Sequence, residues 1–286
     1  MKTTKKHLVK LLIACCLLGG FSCGKPKKQQ EEKVEVTADF SLPYNLNEPT
    51  ERYELPKKLR EISGLSYYKG TQLVAVNDEE GIVYFFDYKS GKIVNEISFG
   101  KDGDYEGIEV VGDEIFILKS NGKIKSFKAE EAFEREIDCT DPDVVEYEGL
   151  AYDAKQNYLL LAAKERIKGI DDRKVIYAYD LKKKTFFKSI VIPENQVIGE
   201  GGNKDFRPSG IALHPKTGET FIVASVGKKL LVLASDGRKE TLVNLDKDLY
   251  YQPEGICFAP NGDLFISSEG NKKDDVKGYI LRFAHK

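Results

Sequence analysis

The chain has 286 residues, 41% hydrophobic, 31% charged and 10% aromatic, which excludes a disordered, collagenous or disulfide-framework protein. Its 44 basic and 46 acidic residues are mixed along the chain, give a formal net charge of -2, and leave no basic footprint for nucleic acid. Of three histidines only His214 lies away from both the leader and the C-terminus, so neither a His-rich zinc site nor a two-histidine relay is expected.

Residues 1–23 open with Lys2, Lys5 and Lys6. They continue through an apolar run from Leu8 to Leu18, broken by Lys10, and end on Gly19, Gly20, Ser22 and Cys23. That order reads as a secretory signal, too short for a stable transmembrane span. The segment resembles a bacterial lipoprotein signal, which implies that Cys23 becomes the lipidated first residue of the mature chain. Leu12-Ile13-Ala14 ahead of Cys15 and Cys16 offers a second match to the same pattern, and secretion without an anchor is a third possibility. Residues 24–50 start as a polar, charge-balanced stretch without hydrophobic period and are expected to be a flexible tether. The expected location is therefore the cell envelope, with the membrane as a partner through the lipid. The two remaining cysteines, Cys139 and Cys257, fall in distant parts of the body and are expected to be buried thiols.

Residues 51–286 repeat themselves. A glycine heads each repeat, in Ile62-Ser63-Gly64-Leu65, Tyr105-Glu106-Gly107-Ile108, Tyr147-Glu148-Gly149-Leu150, Pro208-Ser209-Gly210-Ile211 and Pro253-Glu254-Gly255-Ile256. The glycines are 43, 42, 61 and 45 residues apart. After each head come a polar turn, an apolar run such as Leu73–Val76 or Phe221–Ala224, a run ending in an aromatic or apolar pair, and in most repeats a fourth strand. Four strands every ~45 residues is the spacing of propeller blades. The fold class is all-β, a five-bladed β-propeller of NHL-like type. The fifth repeat has three strands, and Glu51–Pro56 is expected to supply its outer one. A six-bladed ring is the alternative if residues 166–206 hide a degenerate blade.

The five heads, with Ala163-Lys164-Glu165-Arg166 in the third repeat and Lys204–Gly210 before the fourth, resemble the SdiA-regulated family of bacterial envelope propellers over about residues 58–284. The resemblance implies a five-bladed propeller and a calcium site, with some relatives described as phytase-like and no secure activity.

The heads lie on the face where the second strands end. Hairpin arithmetic, good to about one residue, sets Ser63 against Asp78, Glu106 against Lys119, Glu148 against Lys164, Ser209 against Ser225 and Glu254 against Glu269. One mouth of the channel would thus carry Asp78, Glu106, Glu148, Glu254 and Glu269 with only Lys119 and Lys164 to balance them. Like charges placed opposite one another repel, and hard oxygen donors without His suit Ca²⁺ or Mg²⁺. A solvated acidic mouth with internal lysine pairing is the other reading of the same residues. The extra length of the third repeat falls in two loops on this face, Arg166–Lys174 and Glu194–Arg207. Lys164, Glu165, Lys204 and Arg207 are the candidate contacts for an anionic ligand or a protein partner. The glycines of the second loop permit either a flexible lid or a close backbone approach. His214, in a turn on the opposite face, is expected to be structural, and Tyr105 and Tyr147 to pack between blades. Two functions follow: a calcium-holding binding module, or a metal-dependent hydrolase of phosphate esters or lactones that uses the same carboxylates.

Overall fold

The computed structural model describes residues 40–129, 134–166 and 173–286, all within one compact unit, Thr37–Lys286. The signal segment with Cys23, most of the tether and residues 167–172 of the first long loop lie outside the described residues.

Strand β1 spans Glu51–Glu54. Blade one follows with β2 (Ile62–Lys69), β3 (Gln72–Asn77), β4 (Ile82–Asp87) and β5 (Lys92–Ser98). Blade two holds β6 (Tyr105–Val111), β7 (Glu114–Lys119), β8 (Lys123–Lys128) and β9 (Glu134–Asp138). Blade three holds β10 (Val144–Asp153), β11 (Tyr158–Arg166), β12 (Lys174–Asp180) and β13 (Thr185–Ile192). Blade four holds β14 (Arg207–Leu213), β15 (Thr220–Val226), β16 (Lys229–Leu233) and β17 (Lys239–Asn244). Blade five holds β18 (Pro253–Phe258), β19 (Leu264–Ser268) and β20 (Tyr279–Phe283), and β1 completes it on the outer side of β20. The five four-stranded antiparallel sheets close into a ring through their inner strands. The stretch 166–206 contains blade three's outer strands and a loop, with no sixth sheet among the described residues.

The core is divided among the seams. Leu73 and Ala75 face blade five while Val74 and Val76 face blade two, so alternate residues of one strand enter different clusters. The same division recurs in blade three, with Leu159 and Leu161 on one side and Leu160 and Ala162 on the other. Both faces of each blade are buried, which is why the middle strands read as continuous apolar runs rather than alternating ones. Each fully buried Leu or Phe contributes about 1.5–3 kcal/mol.

The repeat glycines mark the axis, where neighbouring inner strands touch. A Cβ on Gly64 would meet the Ile108 nitrogen at 2.9 Å, and one on Gly107 the Leu150 Cβ at 3.0 Å. One on Gly149 would meet the Ile211 Cγ2 at 2.9 Å, one on Gly210 the Glu254 carbonyl oxygen at 2.2 Å, and one on Gly255 the Leu65 Cβ at 2.6 Å. The chain of contacts returns to its start and closes the ring. What space is left between these strands is about 10 Å³, at the lower limit for one water, so the two mouths of the channel are separate.

Tyr44 and Leu46, within the stretch expected to be a tether, are buried in the seam between blades four and five. The packed body therefore starts ahead of residue 51. Cys139 and Cys257 are buried and unpaired. Tyr105 and Tyr147 pack in the seams as expected.

The acidic channel mouth

Each repeat head lies at a β-bulge. The register skips from Tyr105↔Lys119 to Gly107↔Leu118, leaving Glu106 unpaired, and slips in the same way at Ser63, Glu148, Ser209 and Glu254. A bulge bends its strand and re-aims one side chain. The two serine heads use this to stitch blades together: Ser63 Oγ donates to the Tyr105 carbonyl of the next blade at 2.6 Å, and Ser209 Oγ to the Pro253 carbonyl at 2.7 Å. The three glutamate heads instead put their carboxyl groups at the mouth.

The bulges also correct the simple pairing. Ser63 bonds to backbone carbonyls rather than facing Asp78, whose own N–H reaches the Glu61 carbonyl at 3.3 Å. Lys119 lies over the Tyr105 ring, 5.6 Å from its centroid, and stands opposite Tyr105 rather than Glu106 in the ladder. Two pairs do meet: the Lys164 ammonium donates to the Glu148 carboxylate, and Ser225 N–H donates to Ser209 Oγ at 3.1 Å.

Lys164 also lies 3.4 Å from Glu146, a residue the repeat pattern does not single out. Carboxylate oxygens of Glu106, Glu146 and Glu148 all fall within 4.8 Å of one another. Glu146 belongs because β10 begins well before its repeat head and its register slips on both sides of Glu146 and again at Glu148. Burial, then the charge of Glu148 and the hydrogen-bonded Asp104, push the Glu106 carboxyl up to about 10. Burial raises Glu148 to about 7 against the opposing bond and charge of Lys164. Burial also works against the Lys164 ammonium, but Glu148, Glu146 and Glu106 outweigh it and hold the proton on.

A second group of acids lies beside the first. Burial and the charges of Glu148 and Glu269 carry Glu254 well above the carboxylate range. Burial, with Asp78, Glu61 and Glu148, pushes Glu269 up to about 7. Asp78 is raised by burial, Glu61 and Glu79, and its Oδ1 is buried without a hydrogen-bond partner, as is Ser268 Oγ beside Glu269. These are oxygens with unspent acceptor capacity. The donor set, carboxylates and hydroxyls with no His and no thiolate, fits a hard divalent cation.

Next to the carboxylates opens a cavity of about 350 Å³, bordered by Glu148, Lys164, Arg207, Lys228 and Glu254. Its cations are already engaged. Arg207 pairs with Glu165, and Lys228 donates to the Tyr251 carbonyl at 2.6 Å. Lys204 lies outside this cavity and pairs with Glu194 at 3.3 Å.

The long loop between β13 and β14 is fastened from below. Lys229, fully buried, donates to the carbonyls of Val197, Asn203 and Asp205 at 3.1, 2.7 and 2.8 Å. A Cβ on Gly199 would stand 2.7 Å from Lys229 Cε, so that glycine serves close approach rather than a lid. Sequence reasoning missed Lys229, which looks like any surface lysine in Lys228-Lys229-Leu230.

On the opposite face His214 is buried and accepts from the Thr217 N–H at 3.2 Å, a structural role. It does have a histidine neighbour: the His285 ring lies 5.2 Å away, brought there when the C-terminus passes the turn. Burial, His285 and Lys216 lower His214 to about 4, so it stays neutral.

These features define a five-bladed propeller with an acidic, water-facing mouth. Residues 47–272 match the model of the SdiA-regulated family, and the chain belongs to that family. No curated protein matches the sequence. Among solved structures, Myxococcus xanthus glutaminyl cyclase is similar at a TM-score of 0.60 and 12% identity, covering 83% of this chain and 95% of that one. A luciferin-regenerating enzyme is similar at 0.50 and 13%, covering 83% and 95%. A chain of a nidogen/laminin complex is similar at 0.50 and 15%, covering 72% of each. At such identities the likeness is one of fold. No helix among the described residues is long and apolar enough to cross a membrane.

Proposed function

We propose that this chain is a lipid-anchored cell-envelope propeller that holds Ca²⁺ in its acidic mouth and there binds an anionic ligand or a protein partner. The observation that carries the reading is the convergence of Glu106, Glu146 and Glu148 around the ammonium of Lys164, with Glu254, Glu269 and Asp78 beside them. Glu106, Glu146 and Glu148 would be the core ligands. Once bound, the cation would neutralise the carboxylates and offer coordination positions to an anionic oxygen. Lys164 and Arg207 border the cavity where that ligand would lie. Cys23 is the lipid site in this reading. Its replacement by Ser moves the protein from the detergent phase to the aqueous phase, and an unchanged partition would exclude the anchor.

Calorimetry and thermal melting of residues 24–286 with Ca²⁺ test the metal site. At a hundredfold excess over Kd the cation adds about 2.7 kcal/mol, or roughly 5–10 °C in Tm. Both the isotherm and the shift disappear in Glu106→Gln. No heat and no shift at millimolar Ca²⁺ would remove the metal from the account.

A second reading rests on Glu254 and Glu148, which border one cavity, Glu254 pushed well above the carboxylate range and Glu148 paired with the Lys164 ammonium. A protonated carboxyl beside an anionic one is the pairing acid–base hydrolysis uses. Phosphoesterase and lactonase screens with Ca²⁺ decide it, with Glu254→Gln as the variant that must lose any activity found.

A further inference from the structure

The lower mouth of the channel holds a second cavity, cut off from the acidic mouth by the closed axis. It measures about 180 Å³, room for roughly six waters at ~30 Å³ each. All five inner strands, β2, β6, β10, β14 and β18, border it, so it lies on the axis of the ring. Most of its lining is polar, and Glu109 of β6 is the one charged residue in it among the described residues.

The Glu109 carboxylate reaches the strand on either side of its own. It accepts from Ser66 Oγ of β2 at 2.7 Å and from the Tyr152 N–H of β10 at 3.2 Å, and the Val110 N–H adds a third bond at 2.8 Å. It is felt across the axis as well. Its charge adds to burial in raising the thiol of Cys257, on β18, a strand not adjacent to β6 in the ring. These contacts turn the carboxylate toward the axis, where its hydrogen-bond donors are all neutral. Burial raises its carboxyl to about 7, while the three bonds favour the ionised form.

An ionised carboxylate held this way is complemented by a cation, and the acceptors decide which. Three of its roughly four lone-pair positions are taken, which leaves one. Ser66 Oγ spends its proton on Glu109 and keeps its lone pairs as acceptors. Calcium or magnesium needs about six oxygens or more, and these two side chains are too few. A quaternary ammonium has no N–H to give them. A protonated primary amine has three. One meets the carboxylate in a charge-assisted bond, one meets Ser66 Oγ, and the third meets a water, for which the cavity has room. We propose that the lower mouth binds a small protonated primary amine, with Glu109 as its counter-charge and Ser66 Oγ as its second acceptor.

Calorimetric titration of the folded chain with ethylamine hydrochloride at pH 7.5 tests this. Tetramethylammonium, of equal charge without N–H donors, and ethanol, neutral and of similar size, are the controls. Ethylammonium binds saturably, and each control binds at least tenfold more weakly. Glu109→Gln lowers the affinity tenfold or more and Ser66→Ala threefold or more, while Glu106→Gln, at the other mouth, leaves it unchanged. If Glu109→Gln does not fold, the two controls and Ser66→Ala carry the test. No saturable heat, equal binding of a control, unchanged affinity in folded Glu109→Gln or Ser66→Ala, or loss of binding in folded Glu106→Gln would overturn the site. Sedimentation with phosphatidylethanolamine vesicles, against phosphatidylcholine vesicles, separates two sources of the same chemistry. Retention on the former alone assigns a lipid headgroup, ethylamine binding without retention assigns a free solute, and both sustain the site.

Discussion

Glu269 lies among Asp78, Glu61 and Glu148, with burial adding to their repulsion, and its carboxyl is pushed up to about 7. A raised carboxyl binds its proton more tightly in the folded state than in the unfolded one, where it titrates near 4.5. Between those values the native state holds the extra proton, so stability falls as pH rises and levels off above about 7. Glu148 works in the same direction over the same window. The metal-free protein should therefore melt at a higher temperature at pH 5 than at pH 7.5, and Glu269→Gln should flatten part of that slope. At pH 7.5 the variant should gain about 2–4 °C, the equivalent of roughly 1 kcal/mol for a chain of this size. A melting temperature that rises from pH 5 to 7.5, or a variant with the parent's slope, would show that these carboxyls are not strained.

At the scale of elements, the loop between β13 and β14 depends on one side chain from outside it. Three carbonyls of that loop converge on the Lys229 ammonium, and Val197 and Phe206 of the loop fill the seam between blades three and four. Lys229→Met keeps the stem's packing and leaves the carbonyls without their charged donor. The expected cost is about 3 kcal/mol, given ~1.5–3 for a hydrogen bond to a charged group. It should appear first as cleavage within residues 194–207 during limited proteolysis while the blades stay resistant. Equal cleavage rates in parent and variant would mean that the loop holds without Lys229.

The described body is a ring that its first and last strands close together. β1 pairs with β20 from Glu51↔Arg282 to Glu54↔Tyr279, and the ladder is extended by Thr50 N–H to the Arg282 carbonyl and Leu55 N–H to the Gly278 carbonyl, each at 2.8 Å. Ahead of it, Tyr44 Oη donates to the Gly262 carbonyl and Tyr250 Oη to the Leu46 carbonyl, each at 2.7 Å. A chain begun at residue 56 loses the outer strand of blade five and the side chains that plug the seam between blades four and five. It should melt well below the parent and, with the β20 edge exposed, associate as concentration rises. Unchanged melting and a monomer at high concentration would mean that three strands suffice in the last blade.

The repeat of glycine-headed, four-strand units determined the fold from the sequence alone, because seams buried on both sides of every blade impose the same apolar runs and the same close approach five times over. Glu106, Glu148, Glu254, Glu269 and Asp78 were legible as one acidic group for the same reason: the repeat fixes which face each position occupies. Only the tertiary structure supplied Glu146, Lys229, the His214–His285 contact and the carboxylate of Glu109 in the lower mouth. None of these follows the repeat. Each depends on a bulge, on a loop folding back, or on the C-terminus passing a turn of blade four, and such contacts between residues far apart in sequence are decided by packing rather than by period. The bulges explain the one-residue offsets of pairing as well. One extra residue at each head shifts the local register, so a hairpin count good to one residue placed Lys119 against Glu106 where the ladder sets it against Tyr105.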